Sequence, residues 1–120
     1  MNRLMVVLLF AGLVMTGLSS ARAEDPTRDG VFIHVSHGSD DPHRLLMALN
    51  MANIMVEDHD VLVYLDIKAV NAVLKDSDDI TFSHFPSSKS QLASLKTKGV
   101  AVMACPGCLK AAGKTEEDLA

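Results

Sequence analysis

Three short aliphatic, β-branched runs limit the fold most: VFIHVS at 31–36, DVLVYL at 60–65 and VAVMA at 100–104. Each has strand length, and the first and last are apolar enough to read as buried strands. Helical patterns lie between them. Asp41 can cap a helix and Pro42 fits its first position. Leu45, Leu46, Leu49, Ile54, Met55 and Val56 then form a wide apolar stripe, running to about Glu57, that suits packing on a sheet. Residues 67–75 read as a short helix, with Val70, Val73 and Leu74 on one side. Residues 90–98 read as another, with Leu92 and Leu95 three apart and Gly99 as its stop. ITFSHF at 80–85 fits either a short strand or an ordered loop. Strands alternating with helices predict an α/β fold: three layers, with a mostly parallel sheet flanked by helices. Such sheets carry their sites at the carboxyl ends of the strands.

The N-terminus is of another kind. Asn2 and Arg3 precede an almost wholly apolar or small stretch at 4–18, and Ala21 and Ala23 form an A-x-A cleavage pattern. This layout is that of a secretory signal peptide, residues 1–23, cut after Ala23. The apolar stretch is short for a membrane span, which needs about 20 residues, so no stable membrane insertion is expected after cleavage. The predicted location is periplasmic or secreted. Residues 24–30 read as a linker and 31–120 as one domain. TEED at 115–118 looks like a capping box opening a further helix. The domain is therefore expected to lack its last element.

Charge narrows the function classes. Loss of Arg3 and Arg22 with the leader leaves 9 basic against 15 acidic residues, a net charge of −6. An acidic surface argues against nucleic acid and against anionic lipid. The absence of Trp argues against a base-stacking platform. The HGSDD loop at 37–41 lacks a glycine-rich phosphate pattern, and its two aspartates would repel phosphate. No cofactor is implied. Met47, Met51 and Met55 recur at helical spacing, as a core or subunit-contact face does.

The chemistry concentrates at MACPGCLKAAG, residues 103–113, which holds the two cysteines of the chain. Cys105 falls at the end of a strand, Pro106 fits the first position of a helix, and Gly113 fits its exit. Cys105 is thus the expected N-cap, where free backbone N–H groups and the positive helix end favour a thiolate. Cys108, one turn on, can form a disulfide with Cys105 or resolve a mixed one. Lys110 and Lys114 add positive charge. A disulfide closing so short a loop gains little entropic stabilisation, which makes a purely structural staple a weak use of this spacing.

Two alternatives stay open. A non-enzymatic Cys/His module would need two more ligands beside Cys105 and Cys108. His37 and His84 are the candidates, His37 only if the first and last strands are neighbours; alternation sends His34 to the face opposite Val35. An oligomeric structural protein with an inert cysteine pair is the other. Thioredoxin also uses C-x-x-C, but after an early strand and before a long helix, whereas here the pair comes late and opens a short one.

The segments HGSDDPHR, LLMALNMANIMVED, HDVLVYLD, IKAV and GVAVMACPGCLKAAGKTEEDL together resemble the DsrE/DsrF-like sulfur-relay family, over about residues 31–119. The resemblance implies flavodoxin-like α/β layers and a homo-oligomer, trimeric or hexameric. It also implies a cysteine that accepts sulfur as a persulfide, matched here by Cys105. Its partners would be a sulfur donor or acceptor protein or a small thiol, and the activity persulfide transfer or dithiol/disulfide exchange. Cys108 would then release the sulfur.

Overall fold

The computed structural model describes residues 28–120. The expected leader and most of the linker lie outside the described residues. Strand β1 spans Gly30–Val35, helix α1 Pro42–Met55 and strand β2 Asp60–Leu65. A 3-10 helix, Ile67–Val73, follows β2. Helix α2 spans Ser88–Thr97, strand β3 Ala101–Ala104 and helix α3 Pro106–Ala111.

The sheet is parallel throughout, in the order β1-β2-β3. The strand order steps in one direction, so right-handed crossovers put both connecting helices on the same face. α1 and α2 accordingly pack against each other as well as against the strands. Alternation along each strand fixes what they cover. Ile33, Val35, Val61, Val63, Leu65 and Val102 point toward the helices and meet Leu45, Leu49, Ala52 and Leu95 in the main core. The same alternation turns Phe32, His34, Tyr64 and Met103 to the other face. Phe32 is 61% exposed and Met103 53%. The expectation of buried β1 and β3 therefore holds for one face only among the described residues.

Local capping explains the helix starts. The Asp41 carboxylate accepts from the Arg44 N–H at 3.2 Å, and Pro42 needs no N–H partner at the first position. α2 begins at Ser88, two residues earlier than its apolar pattern suggests, because the Ser87 hydroxyl caps it. Residues 80–85 are loop, not strand. The loop is pinned to the start of α2: Ile80 N–H donates to the Ser88 hydroxyl, Ser88 N–H to the Ile80 carbonyl, and Lys89 N–H to the Asp79 carboxylate, each at 2.9 Å.

Two expected helices differ from the pattern reading. Residues 67–73 form a 3-10 rather than an α-helix. Its first turn is closed by the Ala69 N–H to the Asp66 carbonyl at 2.8 Å, and it is tied sideways by the Lys68 N–H to the Ser36 carbonyl at 3.3 Å. At the other end, Thr115 and Asp118 do form a capping box, but it opens only a 3-10 turn, Glu116–Asp118. Leu119 then pairs antiparallel with Leu74, which pulls the backbone out of helical geometry. No helix among the described residues is long and apolar enough to cross a membrane.

Candidate functional site

β3 ends where the thiols begin. The Cys105 N–H donates to the Leu65 carbonyl at 2.8 Å, so the turn is fastened to the end of β2. Cys105 has extended backbone angles and caps α3, with Pro106 at the first helical position. The Cys105 sulfur accepts from the Cys108 N–H at 3.4 Å. Leu109 anchors the helix from beneath, buried with Val70 and Leu74 and with both cysteines packed against that cluster. Both cysteines are half-buried, with no disulfide between them.

The environment separates the two sulfurs. The Cys108 thiol, the Tyr64 hydroxyl and the Cys108 and Gly107 N–H groups all favour an anion on Cys105 and hold its pKa below the ordinary thiol value, against a smaller effect of burial. Cys108 is pushed the other way, first by serving as donor to Cys105, then by burial and by the negative charge of Cys105, with Asp66 adding least; the Ile67 N–H opposes this. Tyr64 is likewise raised, chiefly by its bond to Cys105.

The geometry follows from the sheet. Tyr64 pairs with Met103 and Leu65 with Ala104, so Tyr64, Asp66 and Cys105 share one face at the carboxyl ends of β2 and β3. His34 pairs with Tyr64 from β1, its ring centroid 6.3 Å away. The His34 Nε2 meets the Asp66 Oδ2 at 2.7 Å. The other oxygen of Asp66, Oδ1, is buried with no hydrogen-bond partner. Ile67 has φ +47°, an unusual backbone for a β-branched residue.

Cys105 and Cys108 are thus brought together as expected. His37 and His84 are not brought to them. β2 lies between β1 and β3, so the neighbouring strands that would aim His37 at Cys105 do not exist. His37 Nδ1 is held by the Asp40 Oδ2 at 2.8 Å, while His84 lies in the 80–86 loop against Ser83 and Phe85. Among the described residues, no group of three or more His, Cys, Asp or Glu is placed to hold a metal ion. Tyr64, Asp66 and His34 were not foreseen as site residues. The alternation in DVLVYLD already put Tyr64 and Asp66 on one face; which strands flank them was not legible.

A cavity of about 560 Å³ lies elsewhere, between α2, β3 and the last residues, with Lys75, Lys89 and Lys96 among its lining and no cysteine. The thiols sit outside it.

The chain is thus a parallel α/β protein with two cysteines at a strand-to-helix turn. The model of the DsrE/DsrF-like family matches residues 29–120, and the chain belongs to that family. A solved structure similar to it is the protein of unknown function MTH1491 from Methanobacterium thermoautotrophicum, 25% identical, at a TM-score of 0.60 over 77% of this chain and 76% of that one. No curated protein matches the chain. Membership places the protein at family level in sulfur relay and related thiol chemistry.

Proposed function

We propose that this protein is a periplasmic or secreted sulfur carrier or thiol-redox protein whose reactive group is Cys105. The observation that carries this reading is the asymmetry of the pair: the Cys105 sulfur caps α3 and accepts from backbone N–H, while Cys108 is held as a thiol beside it. The Cys105 thiolate attacks the outer sulfur of a donor persulfide, R–S–SH. A new S–S bond forms on Cys105, the donor S–S bond breaks, and R–S⁻ leaves. For release, the Cys108 thiolate attacks the inner sulfur on Cys105. The disulfide forms and HS⁻ departs, so the cysteine pair is oxidised and the carried sulfur reduced. A dithiol partner then restores both thiols.

The partners are a sulfur donor or acceptor protein or a small thiol, and the protein acts as a homo-oligomer. The exposed Met47, Met51 and Ile54 on α1, with Phe32 and Met103 on the sheet, supply apolar surface for subunit contact. The location rests on the leader pattern.

The test is mass spectrometry of reduced protein exposed to inorganic polysulfide and then alkylated. One added sulfur is expected on the Cys105 peptide. Cys105→Ser abolishes loading, and Cys108→Ser leaves a stable persulfide on Cys105. Undiminished loading in Cys105→Ser overturns the assignment.

A further inference from the structure

The thiol chemistry makes no use of the cavity between α2, β3 and the last residues, and the lining of that cavity combines an apolar floor with charge of one sign. We propose that it is a second ligand site, which takes a small amphipathic anion: a carboxylate or sulfonate carried on an unbranched apolar chain. The proposal stands apart from the reading of Cys105.

The size is that of a small-molecule site. Such sites are cavities of about 300–1,000 Å³, mainly apolar, with a few placed polar groups; this one measures about 560 Å³. Its floor is Val100, Val102 and Ala104, two apart along β3 and the residue before it, and therefore on one face. Val102 packs against the main core, so that face is the one turned toward the helices. Leu92 and Ala93 of α2 form one wall, and Leu74, at the exit of the 3-10 helix, lies on the other. β3 ends the strand order, so its helix-facing side runs out at the sheet edge. Val102 and Ala104 are accordingly only half-buried.

The charged part of the lining is cationic. Lys75, Lys89 and Lys96 line the cavity, and among the described residues no aspartate or glutamate does. The chain as a whole has 15 acidic against 11 basic residues, so this grouping runs against its composition. Lys89 and Lys96 stand two turns apart on α2 with Leu92 and Ala93 between them, so the cations and the apolar wall share one helix face. The ion pairs among the described residues use Arg44, Lys68, Lys98, Lys114 and two histidines, and none of these three lysines. Lys75 Nζ donates to the Glu117 carbonyl at 2.6 Å, which holds the ammonium without neutralising it. Asp79 accepts from the Lys89 N–H at 2.9 Å but lies outside the lining. All three lysines are exposed, so their heads stay hydrated while their stems follow the apolar wall. An aliphatic floor bordered by cations is complementary to an apolar tail with an anionic head. A neutral apolar ligand leaves the lysines unused, and a compact anion leaves the floor unused.

The experiment is a titration of isotope-labelled protein with sodium octanoate, below its micelle-forming concentration, read residue by residue by NMR. Saturable shifts are expected at Leu92, Ala93, Val102 and Leu119, which line the cavity. Hexanoate should bind roughly tenfold more weakly and decanoate roughly tenfold more tightly, because each pair of methylenes adds apolar burial. Octyltrimethylammonium, with the same tail and the opposite charge, should leave these residues unshifted. Lys89→Gln and Lys96→Gln should each weaken octanoate roughly 2–5-fold, as loss of an exposed charge contact does. Ala93→Trp fills the cavity from an exposed position on α2 and should abolish binding with all three lysines in place.

No saturable shift with octanoate, or equal binding of the octyl cation, overturns the proposal. So do shifts centred on Met47, Met51 and Ile54 of α1 or on Phe32 and Met103, the exposed apolar side chains elsewhere, since the tail then follows any such surface. Cavity signals that change with protein concentration rather than with octanoate give the floor to a second copy of the chain and overturn it as well. Octanoate binding that survives Ala93→Trp places the ligand outside the cavity, with the same result.

Discussion

Gly38 is a small residue on which the thiol site depends at a distance. It is buried in the loop after β1, where a Cβ would lie 2.7 Å from the Lys68 carbonyl oxygen and 3.4 Å from its carbon. That oxygen is backbone in the 3-10 helix, which is held to the same loop by the Lys68 N–H to the Ser36 carbonyl at 3.3 Å. In Gly38→Ala the two segments must part by several tenths of an ångström, since packed interiors have no spare room. Overpacking of this kind costs about 1–3 kcal/mol. For a domain of this size that is a fall in Tm of roughly 5–20 °C. The displaced segment starts beside Asp66 and Ile67, so the pH profiles of alkylation at Cys105 and Cys108 are expected to converge as well. The assay is a urea titration followed by circular dichroism, with Gly30→Ala as the control. Gly30 has nothing within 4 Å of its would-be Cβ, and its variant should stay within about 0.5 kcal/mol of the original. A Gly38→Ala chain that unfolds at the same urea concentration as the unsubstituted chain would refute the close-approach argument.

Leu109→Ala removes the anchor of α3, which is 2% exposed over Val70 and Leu74; it should cost about 2–5 kcal/mol in a denaturant titration and loosen the thiol turn. Asp40 offers an acid-side test. The His37 ring, the Gly38 N–H and the Lys68 charge lower its pKa from 3.8 to about 2, with a small opposing effect of burial. A carboxyl depressed in the folded state contributes stability that is present above its unfolded value and is lost as pH falls through the folded one. Asp40→Asn is therefore expected to flatten the fall in Tm between about pH 4 and pH 2; an unchanged slope would show that the contact contributes nothing.

Local chemistry was written in the sequence. Asp41-Pro42 and Cys105-Pro106 announce helix starts because an N-cap acceptor and a ring without an N–H satisfy the same few orphan donors wherever they occur. The aliphatic runs at 31–36, 60–65 and 100–104 announce strands, and their alternation with helices announces a parallel sheet. Cys105 and Cys108 could be named as a pair because both lie within one turn of one short helix. The segment at 67–73 was less legible. Its apolar spacing suits an α-helix, but the backbone tie to Ser36 and the strained Ile67 at its head impose a tighter winding. What only the tertiary structure decided is the company the thiols keep. Pairing order is a property of several separated segments, and no local pattern encodes it. With β2 in the centre, His37 is carried away to Asp40, while Tyr64, Asp66 and His34 converge across the sheet on the turn that holds Cys105. Residues far apart in sequence meet there because parallel strands bring their carboxyl ends to one edge, and alternation turns the same side of each toward it.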